Sequence, residues 1–202
     1  MKIPPSEFAD YVPHPRYGKG PRRTGLDPAA TPDASVYLHW HSGPGVRVPG
    51  TAVVANVAAQ GLVMVSVTHY FDARRVCRVC GRPFLFFAEE QRYWYEELRF
   101  PLEADCLECV PCRKAAQQLQ ATQRRYEALL ALPVRAVAET LALVECGVLL
   151  VEAAVFSPKA LPRLRGFLNP LLADTDAAHH AQAAALRERI VAVERPNPAT
   201  PR

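Results

Sequence analysis

Two stretches decide how this chain is read: Cys77-Arg78-Val79-Cys80-Gly81 and, further along, Cys106-Leu107-Glu108-Cys109-Val110-Pro111-Cys112-Arg113. A C-x2-C turn places two thiolates on one side of an ion, and a second such turn closes the tetrahedron that zinc prefers. Gly81 suits the first turn, because the residue after the second cysteine often takes positive φ, which glycine adopts without penalty. Five of the six cysteines fall between positions 77 and 112. In an intracellular protein that clustering favours metal over disulfides. Buried free thiols are a poor account of so many cysteines at ligand spacing. An iron–sulfur site is disfavoured, since the proline-flanked fourth cysteine of ferredoxin runs is missing. The expected cofactor is therefore one structural Zn2+. The second cluster leaves its register open, because Cys109/Cys112 and Cys106/Cys109 are both admissible pairs.

The spacer between the clusters reads as a small folded unit. Phe84, Phe86 and Phe87 suggest a short strand leaving the first knuckle. Glu89 and Glu90 suit the positive end of a following helix. On that helix Phe87, Gln91, Trp94 and Leu98 recur at helical spacing, so Trp94 and Leu98 are expected to pack inward. A metal and a few aromatics suffice to hold so small a unit together.

These residues resemble the pattern of the bacterial proteins grouped as a probable zinc-ribbon domain: C-x2-C-G, then F-x-F and E-Q, then an aromatic-rich helix, then C-x2-C-R. The matching residues are Cys77, Cys80 and Gly81, then Phe84 and Phe86, Glu90 and Gln91, Trp94 and Tyr95, and finally Cys109, Cys112 and Arg113. The resemblance spans residues 72–114, about a fifth of the chain. It implies zinc binding by four cysteines and no reaction. Its C-R ending implies the ligand set Cys77, Cys80, Cys109 and Cys112, with Cys106 as the alternative ligand.

Outward from this centre, residues 1–34 are rich in proline and poor in large aliphatics, and read as a flexible, loosely tethered arm. Residues 35–71 read as β: Val36, Leu38 and Trp40 alternate with Tyr37, His39 and His41, and Val63, Val65 and Val67 alternate again. Residues 51–60 fit either a short helix or a strand. Together with the cysteine module this gives a β region with a zinc-ribbon-like module over 35–114. Residues 115–195 read as four antiparallel helices packed in a bundle. Leu119, Tyr126, Leu129 and Leu130 line the first, which Pro133 ends. Val134, Val137, Leu141, Val144, Val148, Val151 and Val155 step by three and four along the second. Ser157-Pro158 starts the third, and Asn169-Pro170 kinks or stops it. Asp174 or Thr175 caps the fourth, whose Ala183, Leu186, Ile190 and Val193 face inward. Residues 196–202 form a tail. The expected fold class is α+β, with a C-terminal helical bundle.

The composition narrows function without naming it. Half of the 202 residues are hydrophobic, so a real core is available, and the net charge is a mild +4. The longest apolar run, residues 146–151, is too short to span a bilayer, and the N-terminus lacks a signal-peptide core; a cytoplasmic protein is expected. No phosphate loop, H-E-x-x-H or G-x-S-x-G occurs, so no enzyme is expected. His39 and His41 share a strand face and invite a second metal, but a structural role is favoured. Cys146 reads as a core thiol. The basic run Arg16, Lys19, Arg22 and Arg23 and the knuckle arginines Arg74, Arg75, Arg78 and Arg82 keep a nucleic-acid-associated zinc protein as the alternative. Against it, the seven arginines of residues 72–113 face eight acids, whereas a nucleic-acid module is clearly basic. The leading expectation is a non-catalytic, zinc-stapled scaffold that contacts another protein, with Phe100 and the loop Phe156-Ser157-Pro158 as candidate contact residues.

Overall fold

The computed structural model describes residues 5–30, 35–61, 65–173 and 177–195. It divides into two compact units, Met1–Arg113 and Lys114–Arg202. The cystine-free N-terminal unit is organised by one antiparallel hairpin. Its strands, β3 (Ala73–Val76) and β4 (Pro83–Phe86), pair from Ala73 opposite Phe86 to Val76 opposite Pro83; the short strands β1 (Val53–Val54) and β2 (His69–Tyr70) precede them. The run Phe84-Leu85-Phe86-Phe87 is apolar without alternation because both faces of β4 are covered. Phe84 and Phe86 join Val67, Tyr70, Ala73, Tyr95 and Leu102, while Leu85 and Phe87 join Phe8 and Val48. Both edges of the hairpin are engaged as well, which removes the hazard of an open edge. Val12 N–H donates to Pro83 O at 2.8 Å on one side, and Arg74 N–H donates to Val46 O at 2.8 Å on the other.

The expectation of a loosely tethered arm over 1–34 does not hold for residues 5–30. Phe8 and Val12 are buried. Tyr17 stacks with His14 at 4.6 Å and packs on Phe87 at 5.1 Å. The aromatics Phe8, Tyr11 and Tyr17 bury enough surface to offset the cost of ordering the segment, and its prolines lower that cost by stiffening the unfolded chain. Pro32 and residues 1–4 lie outside the described residues.

The β region is thinner than the alternation suggests. β1 pairs antiparallel with β2, and Leu38 adds a single bridge to His69. The rest of 36–41 is not strand, because the His39 ring takes over the local bonding. Its Nδ1 accepts from His41 N–H at 3.2 Å, and its Nε2 hydrogen-bonds Leu102 O. Side-chain bonds of this kind compete with a backbone ladder. The ambiguous stretch 51–60 resolves as strand at β1 followed by a 3-10 turn, Val57–Ala59. Val63 lies outside the described residues.

Buried polar side chains tie these pieces together. Asp72 accepts from Arg22 N–H at 2.7 Å and from Ala88 N–H at 2.8 Å, capping helix α1 (Ala88–Arg92) from a distance. Burial pushes its carboxyl up to about 6, against those two amides, which favour the carboxylate. Gln91 donates to Phe71 O and Phe86 O at 2.6 and 2.9 Å. After α1 the helix widens into a π turn, Tyr93–Glu97, where Leu98 N–H reaches back five residues to Tyr93 O. The extra residue in that turn rotates the side chains beyond it about the helix axis. Tyr95 is therefore buried at 1 %, Trp94 is half-buried, and Leu98, expected inward, is 44 % exposed.

In the second unit three helices form the core: α3 (Val137–Glu152), α4 (Leu161–Ala173) and α5 (Ala177–Glu194) pack pairwise. The stripe on α3 is buried from Leu141 to Val151, but Val134 and Val155 at its ends are exposed. Ala183, Leu186 and Ile190 of α5 are buried as their spacing implies. Ser157 Oγ caps the 3-10 turn Pro158–Ala160 that leads into α4, and α4 runs on through Pro170. Residues 174–176 and 196–202, with the expected cap and tail, lie outside the described residues. The four-helix bundle is corrected to three, because α2 (Val110–Leu130) joins this core only through Tyr126, Leu129 and Leu130. Its middle is polar on all sides, with Leu119 half-buried, and such a helix is a solvated one. Arg135 donates to the carbonyls of Leu129, Leu130 and Leu132, closing the end of α2. Phe156 packs edge-on against Tyr126 at 5.1 Å, so it belongs to this core and is not a free contact residue. Among the described residues no helix is long and apolar enough to cross a membrane.

The α3–α4 crossing depends on Gly147. A Cβ there would lie 2.6 Å from Leu164 Cδ2 and 3.2 Å from Tyr126 Cε2, and Leu164 is fully buried. Overpacking costs about 1–3 kcal/mol, against a helix-propensity gain of about 1 kcal/mol for Gly→Ala. Gly147→Ala is expected to destabilise the chain by about 1 kcal/mol in urea unfolding followed by circular dichroism. In a Leu164→Ala background the same change is expected to be neutral or stabilising, since the clash is gone and the methyl fills part of the cavity.

Candidate metal centre

Two local structures deliver the cysteines. Cys77 follows β3 directly, and its N–H donates to Arg82 O at 3.0 Å, closing the hairpin. The chain turns through Cys80 and Gly81, where Gly81 N–H donates to Cys77 O at 2.9 Å and φ is 69°. Cys109 immediately precedes α2 and Cys112 sits in its first turn; Arg113 N–H donates to Cys109 O at 3.0 Å. The two knuckles are joined by Arg78 N–H donating to Leu107 O at 3.0 Å and by the Arg78–Glu108 ion pair at 2.7 Å.

Together these place the Sγ atoms of Cys77, Cys80, Cys109 and Cys112 within 4.8 Å of one another. Cys80 and Cys109 are 3.8 Å apart, Sγ to Sγ. A tetrahedron with Zn–S bonds of about 2.3 Å has S–S edges of about 3.8 Å, so the group has the size zinc needs. Cys77 and Cys109 are buried, Cys112 is half-buried and Cys80 is exposed. Burial pushes the Cys77 thiol up, but amides of Cys80, Cys109 and Val79 donate to it and bring it down to about 6. Burial raises Cys109, and the neighbouring Cys109 sulfur raises Cys112. One thiolate thus forms readily and opposes the next. Held by these four sulfurs, a divalent cation would offset that repulsion and favour the thiolate form of the remaining cysteines. The start of α2 adds a favourable dipole for the second pair.

The structure brings together the four cysteines that the C-R ending implies and leaves Cys106 outside. Cys106 is buried, its thiol donates to Glu108 O at 3.4 Å, and burial pushes it up to about 12. His39 is no ligand here. Both ring nitrogens are engaged, it stacks on Trp40 and Tyr95, and burial lowers its pKa, favouring the neutral ring. Cys146 is buried in α3, in the other unit. Sequence reasoning missed one participant, His14. It approaches Glu90 Oε2 at 3.7 Å, and Glu90 in turn pairs with Arg113 beside Cys112. Nothing in its proline-rich surroundings marks it, because the contact spans elements far apart in the chain.

A helix that supplies the second cysteine pair, in place of a second hairpin, distinguishes this module from a ribbon. It is a zinc-binding module of the treble-clef kind. Residues 71–121 match a family model described as "Probable treble clef domain", about a quarter of the chain. The match does not extend to the bacterial zinc-ribbon family that the sequence pattern resembles. No curated protein and no solved structure matches the chain.

Replacing Cys77, Cys80, Cys109 or Cys112 by Ser is expected to abolish tight metal binding in each case, while Cys106→Ser keeps it. Elemental analysis of the purified variants reads this directly. Zinc lost from Cys106→Ser and retained in Cys112→Ser would reverse the register.

Proposed function

We propose that this chain is a non-catalytic zinc protein, in which one structural Zn2+ held by Cys77, Cys80, Cys109 and Cys112 staples a module that serves as a scaffold for another protein. The observation that carries the proposal is the closed set of four thiols spanning the hairpin turn and the start of α2. Four thiolates leave zinc no open position for water or substrate, which is the arrangement of structural sites rather than catalytic ones.

The fate of the cations supports a protein partner over a nucleic acid. Arg74 pairs with Glu7, Arg75 with Asp105 and Arg78 with Glu108. In the N-terminal segment Arg16 and Arg22 lie over the Tyr17 ring, Lys19 donates to Ala9 O and Arg23 to Pro49 O. Phosphate binding would have to break contacts already made. Meanwhile Val76, Val79 and Leu107 are exposed beside the knuckles, and Trp40 and Phe100 expose aromatic surface. Protein interfaces use such apolar and aromatic anchors.

Two measurements test this. Both tryptophans, Trp40 and Trp94, lie in the N-terminal unit, so tryptophan fluorescence reports that unit alone. Chelation is expected to shift the emission to that of solvent-exposed indole while most far-UV helicity persists, because zinc binding is folding free energy for so small a module. An unchanged emission after complete zinc removal would deny zinc its structural role. In titrations with single- and double-stranded oligonucleotides, binding is expected to be micromolar or weaker at physiological salt. Tight, steeply salt-dependent binding lost on changing Arg74, Arg75, Arg78 and Arg82 to Ala would establish a nucleic-acid-associated zinc protein instead.

A further inference from the structure

Resting on the zinc reading, we infer that Glu90 is a positioning residue for the metal, holding the second cysteine pair through Arg113 and linking it to the N-terminal segment through His14. Glu90 lies on α1 and is only 8 % exposed. Its Oε1 takes the guanidinium of Arg113, the residue directly after Cys112. The Arg113 guanidinium also lies over the Trp94 ring at 4.9 Å from the centroid. Arg113 is thus gripped by a carboxylate and an aromatic face, and it cannot shift without moving the first turn of α2. That turn carries Cys112, and its backbone bond to Cys109 O fixes the other member of the pair.

The second oxygen, Glu90 Oε2, is buried without a hydrogen-bond partner, as is Arg113 Nε. A buried ion pair left partly unsatisfied is a poor device for stability, and each such group calls for an explanation. Orientation of ligands is one, since groups behind the ligands set a site's geometry and affinity. His14 Nε2 stands 3.7 Å from Oε2, within ion-pair range but beyond a hydrogen bond. His14 Nδ1 accepts from the N–H groups of Arg16 and Tyr17 at 3.1 and 3.2 Å, which leaves Nε2 to carry the proton toward Glu90. The ring also packs on Tyr17 and Phe87. The N-terminal segment therefore closes over the carboxylate that holds the zinc-bearing turn. Docking of that segment and retention of zinc are coupled through one side chain, and the E-Q and C-R elements of the motif meet here in space.

The test is zinc affinity by chelator competition on the full chain, together with the thiolate-to-metal absorption of the cobalt-substituted protein. Glu90→Gln keeps the shape and removes the charge. It is expected to hold one zinc per chain with about tenfold lower affinity and to shift the cobalt band. Arg113→Gln is expected to do the same, and the double variant to lose no more than either alone, because both remove one pair. His14→Ala, which leaves the Arg113 pair intact and guards against a Glu90 variant that fails to fold, is expected to weaken zinc in the same direction by less. Wild-type affinity and an unmoved cobalt band in Glu90→Gln, or fully additive losses in the double variant, would overturn this inference and leave the four-cysteine site standing. A wild-type chain that binds no zinc would overturn both.

Discussion

The N-terminal unit depends on one closure: the turn after β3 meeting the start of α2 through four sulfurs. Between these ends lie β4, α1, the π turn and a loop, and none is long enough to be stable alone. Bringing Cys77 and Cys80 to Cys109 and Cys112 closes that whole segment into a loop, and a metal that links its ends restricts the unfolded chain as a cross-link does. Four close thiolates would repel one another, so in the proposed function a zinc ion is what holds this closure. On that proposal the hairpin, the buried aromatics and the four-cysteine centre form one cooperative object.

Around that closure the unit is held by polar side chains at a few crossing points, where each makes more than one contact. Asp72 fastens the N-terminal segment to α1, Gln91 spans the carbonyls of Phe71 and Phe86, and Glu90 joins His14 to Arg113. Buried groups of this kind contribute little net energy but make alternative packings costly, because each would strand a donor or acceptor. The C-terminal unit is built differently. Its core is mostly aliphatic, with Tyr126 and Phe156 at one side, and its tightest constraint is steric, the absence of a side chain at Gly147 against Leu164. With zinc in the proposed role, the two units are expected to respond to different insults: chelation and thiol chemistry for the first, loss of core complementarity for the second.

How much of the molecule is legible in its sequence depends on the range of the interactions. Ligand spacing is local, so C-x2-C pairs announce a metal site, and the C-R ending selects the cysteine pair that the structure brings together. Helical stripes are local too, which is why the inward faces of α3 and α5 are legible. The hidden features depend on contacts between distant parts of the chain. Proline richness in residues 5–30 looks like disorder, because nothing local says that Phe8, Val12 and Tyr17 find a surface. The π turn moves Tyr95 inward and Leu98 outward, and no periodicity rule contains that extra residue. Strand alternation at 36–41 is overridden by His39, whose ring bonds lie partly with Leu102, far along the chain. The first helix of the expected bundle is read from Leu119, Tyr126, Leu129 and Leu130 on one face, but only its C-terminal end reaches the core, because residues 114–125 offer little to bury.

In the proposed function everything rests on a single zinc ion bound by four thiolates, from Cys77, Cys80, Cys109 and Cys112. X-ray absorption at the zinc edge of the purified chain tests it most directly. The expected result is a first shell of four sulfurs at about 2.3 Å, with no nitrogen or oxygen. A shell containing imidazole or water, or an iron–sulfur signature in place of zinc, would contradict it.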